Sequence, residues 1–235
     1  MSGEQLFYDR PTFPAQLDMA HPLTRGLVGC WVLNDSGLRA WDSSPYKNHG
    51  TASISNGRWQ GRIFDGTNDY LSIPDAAVLN PTNNFTLITW VRVDRSTAAG
   101  LYDGIVCKRD SALGTGYMLY TTSNAFAISA YATGNNLDIT ASITHTLRVF
   151  NCVALVVNAG NGTLYMNALP VGTDTCNDIN VNASPLRLSS YDNAVGTQPS
   201  EPFQGIIGEV LLYNRALILS DIKWLYHEPY DMFLR

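Results

Sequence analysis

The stretch Phe64-Asp65-Gly66-Thr67-Asn68-Asp69-Tyr70-Leu71-Ser72-Ile73-Pro74 places turn-forming residues between two short apolar runs. Gly66 accepts a positive φ at no steric cost, and Asp and Asn side chains hydrogen-bond nearby backbone groups. The pattern predicts two antiparallel strands joined by a tight loop. Alternation places Leu71 and Ile73 on one face, and Pro74 ends the ladder because it has no N–H to donate.

The same two-residue period continues along most of the chain. In residues 85–93, Phe85, Leu87 and Val91 fall on one face and Ile88 and Trp90 on the other. Further short apolar runs separated by polar breaks extend to residue 213. Many short strands with regular turns are typical of a sandwich of two antiparallel sheets.

Helical periodicity is confined to residues 219–226. Ser220 is placed to cap a short helix, and Pro229 follows its end. Ile222, Leu225 and Tyr226 are expected to face the sheet. The chain is therefore predicted to carry one short helix near its carboxyl end.

Several segments resemble, in order, the laminin-G-like (LamG) branch of the concanavalin A-like jelly rolls. Beside the opening stretch, the matching segments are Gly26-Leu27-Val28-Gly29-Cys30-Trp31, Asn48-His49-Gly50-Thr51, Leu164-Tyr165-Met166-Asn167 and Gly205-Ile206-Ile207-Gly208-Glu209-Val210. The resemblance covers about residues 26–228 and implies an all-β, concanavalin A-like jelly-roll sandwich of two antiparallel sheets. Residues 1–25 are then an extended N-terminal arm, and residues 229–235 a short C-terminal tail.

Composition excludes several classes of function. The 235 residues are 45% hydrophobic and 15% charged, with a net charge of -5 and Lys47, Lys108 and Lys223 as the only lysines. Without a basic run, neither nucleic acid nor an anionic membrane surface is an expected partner. No apolar stretch is long enough to span a bilayer, and no secretory signal is visible at the N-terminus, which predicts synthesis in the cytosol.

The cysteines show no metal-binding spacing. Cys30, Cys107, Cys152 and Cys176 are far apart in sequence, without a Cys-x-x-Cys motif. We expect reduced thiols, buried at Cys30, Cys107 and Cys152 and more exposed at Cys176, which lies in a polar stretch.

Motifs of catalysis are missing from the sequence. It contains no Gly-x-Ser-x-Gly, no phosphate-binding glycine loop and no His-Glu-x-x-His. Jelly-roll glycosidases carry paired carboxylates close together on one strand, and Glu209 has no acidic partner two residues away. The chain is therefore not expected to be an enzyme.

The resemblance also implies at most one structural calcium ion, with Asp42 and Glu209 as its ligands. Gly208 stands where the family often has an acidic residue, which removes one carboxylate from that site. The alternative is that Asp42 caps a turn and that an arginine holds Glu209.

A sugar-binding surface needs exposed aromatic rings beside planar polar side chains. The candidates are Tyr102, Tyr131, Asn135, Asn136 and Tyr191. Trp41, in the early turn-rich region, fits either the core or the surface.

The N-terminal arm carries three aromatic residues, Phe7, Tyr8 and Phe13, among prolines that block a helix. They are expected either to cover their own sandwich or to contact a neighbouring subunit or an underlying shell.

Both ends of the chain, residues 21–27 and 225–233, resemble stand-alone LamG-like proteins encoded by phages and prophages. That resemblance implies a non-enzymatic virion structural protein, in particular a capsid decoration (cement) protein. Its partners would be the major capsid protein or other virion proteins and further copies of itself, and it would join the virion in the host cytoplasm. The alternative is a carbohydrate-binding module for attachment to host glycans, and a glycan-acting enzyme is the third hypothesis.

Overall fold

The computed structural model describes residues 10–11, 15–53, 57–58, 60–98, 101–110, 113–123, 125–131, 134–190 and 202–234, with the backbone alone at 128–131. The described residues form sixteen strands and one α-helix, α1 (Leu219–His227), with short 3-10 turns at Pro22–Thr24 and Ala77–Leu79. The strands are β1 (Leu27–Trp31), β2 (Arg39–Ala40), β3 (Gly50–Ala52), β4 (Gly57–Arg58), β5 (Gly61–Asp65), β6 (Leu71–Ile73), β7 (Phe85–Val93), β8 (Asp103–Asp110), β9 (Thr115–Thr122), β10 (Ala125–Tyr131), β11 (Leu137–Thr140), β12 (Phe150–Asn158), β13 (Asn161–Met166), β14 (Leu169–Thr175), β15 (Leu186–Leu188) and β16 (Gln204–Tyr213).

The strands form two antiparallel sheets. The first sheet has the order β14-β13-β12-β7-β16-β5-β4, and the second has the order β11-β10-β9-β8-β15-β6-β3-β2. Along one edge of β16, β5 pairs with the first half of the strand and β1 with the second half. The exchange of partners occurs beside Gly208, where the pairing of β16 with β7 also carries a register shift.

The main core lies between the two sheets. The inward face of β7 contributes Phe85, Leu87 and Val91, as its alternation predicts, and the second sheet contributes residues such as Leu119 and Phe126. All five are almost fully buried. This packing confirms the predicted all-β sandwich of two antiparallel sheets with one short helix.

A second apolar layer covers the outer face of the first sheet. Ile88 and Trp90 of β7 belong to this layer, together with residues of α1 and of both chain ends. Leu17 forms an isolated antiparallel bridge with Phe233, so the N-terminal segment and the C-terminal segment are paired. Residues 15–25 therefore pack on the sandwich of their own chain.

The prediction that residues 64–74 form a hairpin is wrong. The turn chemistry is present, since Asp65 accepts hydrogen bonds from the backbone of Thr67 and Asn68 at 2.7 and 3.3 Å, and Gly66 has φ +76°. However, β5 pairs with β4 and β16 in the first sheet, whereas β6 pairs with β3 and β15 in the second. The turn is a crossing between the sheets, because both strands bury an apolar face toward the same core.

Two smaller expectations also fail. The N-cap of α1 is Ile218, without a side-chain cap, and Ser220 lies inside the helix, whereas Ile222 and Leu225 are buried as predicted. Cys176 is buried rather than exposed, because its N–H bonds to the carbonyl of Gly160 and its side chain joins the main core. All four cysteines are free thiols. No helix among the described residues has the length and apolar character needed to span a membrane.

Candidate functional site

The loop between β2 and β3, residues 41–49, is organised around one buried carboxylate. We call this segment the Asp42 loop. Asp42 Oδ1 accepts hydrogen bonds from the N–H of Cys30 at 2.9 Å and of Ser44 at 2.8 Å. Its Oδ2 accepts from Ser44 Oγ and from the N–H of Asn48, both at 2.7 Å. One side chain thus ties both ends of the loop to β1, as in the alternative interpretation that Asp42 caps a turn.

Further hydrogen bonds hold the loop against β1. The indole N–H of Trp31 donates to the carbonyl of Asn48 at 2.9 Å. Ser44 Oγ, which donates its proton to Asp42, also lies 3.2 Å from the carbonyl oxygen of Val28. Because these partners are buried strand residues, the Asp42 loop is a fixed platform for the side chains that it exposes.

Trp41 is the first of those side chains, and 37% of its surface is exposed. The guanidinium carbon of Arg39 lies 4.2 Å from the centre of its ring, and the ring of His49 meets it edge-on at 4.9 Å. Burial and the charge of Arg39 lower the pKa of His49. The neutral imidazole accepts the N–H of Asp42 at its Nδ1, which leaves the proton on Nε2 as a donor. A cleft of about 260 Å³ beside this group is lined by Leu38, Arg39, His49, Gly50 and Thr51.

Tyr46, further along the Asp42 loop, is 49% exposed. With Pro45 it forms one wall of a cleft of about 470 Å³, and residues 19–27 form the facing wall. Clefts of this volume are within the range of small-molecule sites. The Asp42 loop therefore presents two exposed aromatic rings. Tyr46 lines one cleft, and Trp41 packs against Arg39 and His49, which line another.

Glu209 lies on the outer face of β16 and is fully buried. Neither of its carboxylate oxygens has a hydrogen-bond partner among the described residues. Burial raises its pKa to about 8, and the nearby positive charge of Arg10 opposes this rise. Arg10 is itself buried and donates to the carbonyls of Val32 and Gly208, at the seam where β1 replaces β5 beside β16.

Burial raises the pKa of the Cys30 thiol, and Glu209 and Asp42 add to the rise, so the two carboxyl groups lie in one region. The donors around Asp42 fit a calcium ion poorly, because four N–H and O–H groups already point at its oxygens. Within the described ranges, no three His, Cys, Asp or Glu side chains are grouped to hold a metal. The calcium site stays a prediction.

Those of the predicted sugar-binding residues that the structure describes do not converge. Tyr102 is 39% exposed and packs edge-on against Tyr120 at 5.0 Å, next to the Thr121 end of β9. Tyr131 pairs with Gly116 at the opposite end of β9. Asn135 donates to the carbonyl of Thr175 at 2.9 Å.

Asn136 is exposed beside Asn135. Tyr191 and the three arm aromatics Phe7, Tyr8 and Phe13 lie outside the described residues, as does the side chain of Tyr131. These assignments remain predictions.

Sequence reasoning missed Trp41 and Tyr46 as a pair. The available signal was the position of both residues in one polar loop that also contains Asp42 and Asn48. An aromatic residue in a loop tied down by a buried carboxylate cannot turn easily into the core, and this favours its exposure.

Comparison with known structures supports the fold. The binding domain of Paraclostridial Mosquitocidal Protein 1 superposes with a TM-score of 0.70 at 18% identity, covering 89% of this chain and 53% of that one. Domain 4 of an extracellular arabinanase from Geobacillus stearothermophilus, in complex with arabinotriose, superposes with a TM-score of 0.64 at 17% identity. The match covers 85% of this chain and 98% of that domain. Botulinum neurotoxin type C, whose cell entry depends on interaction with two ganglioside molecules, superposes with a TM-score of 0.66 at 12% identity. The match covers 87% of this chain and 51% of the toxin chain.

The chain thus spans about half the length of the two toxin structures and nearly all of the arabinanase domain. Comparison with curated proteins finds no match. The model of a laminin-G family, described as the concanavalin A-like lectin/glucanases superfamily, matches residues 65–223. Since this match covers more than half of the sequence, the chain belongs to the concanavalin A-like lectin/glucanases superfamily.

Proposed function

We propose that this protein is a non-enzymatic carbohydrate-binding module that holds glycans on the Asp42 loop. The observation that carries the proposal is the exposure of Trp41 and Tyr46 on a loop fixed by a buried carboxylate. Flat aromatic faces beside fixed polar groups suit the alternating apolar and hydroxyl surfaces of a sugar ring.

Structural relatives support the choice of ligand. The arabinanase domain was solved with arabinotriose, and a botulinum neurotoxin binding domain with the ligand SialylT. Both share the fold of this chain at low sequence identity, so they support a glycan as ligand without indicating which one.

The carboxylates of the site support a binding role rather than hydrolysis. Glycosidases commonly use a pair of carboxyl groups, one on each side of the glycosidic bond that is hydrolysed. Asp42, the carboxylate of the Asp42 loop, is buried and saturated with hydrogen bonds, and neither cleft beside the loop has an Asp or Glu among its lining residues in the described part of the chain. Glycan polymers incubated with the protein should therefore release no reducing ends.

The experiment is a glycan array followed by titration calorimetry with the best ligand. We expect Trp41→Ala or Tyr46→Ala to weaken binding by about tenfold or more, since loss of an aromatic contact of about 1.4 kcal/mol changes affinity tenfold. The melting temperature should change little, because both side chains are substantially exposed.

Tyr102→Ala is the matched control. Tyr102 is a similarly exposed aromatic residue, but β8, which follows it, is separated from β2 by three strands of the second sheet. If the array shows no binding, or if Tyr102→Ala abolishes binding while Trp41→Ala and Tyr46→Ala do not, the proposal is wrong.

A further inference from the structure

The cleft beside Tyr46 continues into a second cleft of about 430 Å³. Met19 and Pro45 line both, so the two form one groove between the N-terminal segment and the Asp42 loop. We call it the Met19 groove. Its apolar surface comes from Met19, which is 58% exposed, Pro45 and Tyr46.

The charge along the Met19 groove is positive, although the protein as a whole carries -5. Arg25 lines the first cleft and Lys47 the second, and no Asp or Glu is among the described lining residues. The chain has fifteen Lys and Arg against twenty Asp and Glu. The described lining of the Met19 groove, with two cationic side chains and no carboxylate, therefore has the opposite sign of charge to the whole protein.

The guanidinium of Arg25 is exposed and has no hydrogen bond or ion pair with the described residues. The backbone of Arg25 is fixed, because its carbonyl accepts from Arg215 Nε at 2.7 Å. Among the described residues, the one hydrogen bond of Lys47 Nζ goes to the carbonyl of Ser43, at 3.3 Å. Both cations are therefore available to an anionic ligand.

Two carboxylates described on the side of the chain ends already have charged or polar partners. His21, in the wall of the first cleft, lies 3.4 Å from Asp231, which also accepts the indole N–H of Trp224 at 3.0 Å. Asp221 is paired with Arg215 at 3.1 Å. Asp18, next to Met19 in the chain, accepts the N–H of Ala20 at 2.9 Å. None of these described carboxylates forms an ion pair with Arg25 or Lys47.

We propose that the Met19 groove binds an acidic saccharide, a glycan with a carboxylate on its sugar ring, with the ring against Tyr46 and the carboxylate at Arg25. The proposal rests on the carbohydrate-binding function proposed above and names its ligand class. Arg25 can receive a carboxylate through two parallel N–H···O bonds, whereas Lys47 supplies a point charge further along the groove.

The test is calorimetric titration of the full chain with three probes: α2,3-sialyllactose, a galacturonic acid trisaccharide and lactose. At least one acidic probe should bind about tenfold more tightly than lactose, as expected for a charge-assisted hydrogen bond. The two acidic probes distinguish a sialic acid from a uronic acid. Raising the salt concentration should weaken acidic binding more than neutral binding.

Arg25→Gln should remove most of this preference, about tenfold, and Lys47→Gln a smaller part of it. Arg148→Gln is the control, since Arg148 is exposed beside Val93 at the opposite end of the first sheet. Equal affinity for lactose and the acidic probes, or a preference that survives Arg25→Gln, would overturn the acidic ligand and leave carbohydrate binding intact. If none of the probes and no glycan on the array binds, both proposals fail.

Discussion

Glu209 is a fully buried carboxyl group, and its ionisation lowers the stability of the fold. Its neighbours along β16 are apolar, and a buried carboxyl without hydrogen bonds is costly when ionised. Arg10 is nearby, but it donates to the carbonyls of the strand seam. With a pKa of about 8, Glu209 is mostly protonated at neutral pH. The free-energy cost of burying its negative charge therefore applies mainly at alkaline pH.

The raised pKa predicts a loss of stability as pH rises. The folded state holds the proton of Glu209 up to about pH 8, whereas the unfolded chain releases it near 4.5. Between these values the folded state binds more protons, so the free energy of unfolding falls with increasing pH, by on the order of a few kcal/mol. Glu209→Gln should abolish this fall and be more stable than the wild type at pH 9, as measured by urea unfolding.

Glu228→Gln controls for the change in net charge, because Glu228 is an exposed residue just after α1. Its unfolding curve should follow the wild type at each pH. The lowered pKa values of His49 and His145 make stability rise with pH. This effect is the same in the wild type and in Glu209→Gln, so it cancels when their unfolding free energies are subtracted. If the stability difference between wild type and Glu209→Gln is the same at pH 5 and pH 9, the carboxyl does not titrate as described.

At the scale of the element, the Asp42 loop is a short irregular segment with the rigidity of a strand. Its four carboxylate hydrogen bonds replace the ladder that a strand would provide. This rigidity allows Trp41 and Tyr46 to stay exposed and ready for a ligand, with little conformational cost on binding.

Asp42→Asn tests that role. An amide keeps one acceptor oxygen but places an NH₂ group toward the donors of Ser44 or Asn48. We expect a loss of about 2 kcal/mol in unfolding free energy and weaker glycan binding with Trp41 and Tyr46 unchanged. Thermal melting and calorimetry measure the two effects.

Chelation by EDTA separates this account from the predicted calcium site. If hydrogen bonds alone hold the loop, EDTA leaves the melting temperature of the wild type unchanged. A clear decrease, reversed by added calcium, would show that an ion binding the folded state contributes instead.

Particular elements show what sequence alone can predict. The bounds and faces of β7 follow from an alternation of nine residues, and α1 follows from its helical period. The crossing between β5 and β6 could not be predicted, because the turn chemistry of Asp65 and Gly66 is local and does not specify which sheet receives the next strand. The role of Asp42 in the site depends on contacts with Cys30, which no local pattern reveals.

At the scale of the whole molecule, the two chain ends form a layer over the first sheet. Leu17 pairs with Phe233, the N–H of Asp18 donates to Met232 at 2.9 Å, and that of Leu234 to Gln16 at 2.8 Å. Ser43 Oγ in the Asp42 loop also donates to the carbonyl of Ala15, at 3.1 Å. The ends therefore stabilise both the outer layer and the proposed binding site.

Two truncations separate this structural role from a role in assembly. Removal of residues 1–18 takes away Arg10 and Leu17, and we expect the unfolding free energy to fall by about 3 kcal/mol or more, from one buried leucine and the lost hydrogen bonds. Removal of residues 1–9 keeps all of these contacts, and it should leave the melting temperature unchanged if Phe7 and Tyr8 contact a neighbouring subunit rather than their own sandwich. Circular dichroism during heating measures both.

The shorter truncation then tests the predicted decoration role, because it removes Phe7 and Tyr8 while it keeps Arg10 and Leu17. Phe13→Ala completes the set. If these aromatics contact neighbouring subunits, each contributes about 2 kcal/mol of transfer free energy, and several arms act together. The truncated variant should then be monomeric in light scattering where the full chain associates, and its glycan affinity should be unchanged. Association that persists without the three aromatics would exclude the arm as the assembly contact, whereas a loss of glycan binding would place the arm in the Met19 groove.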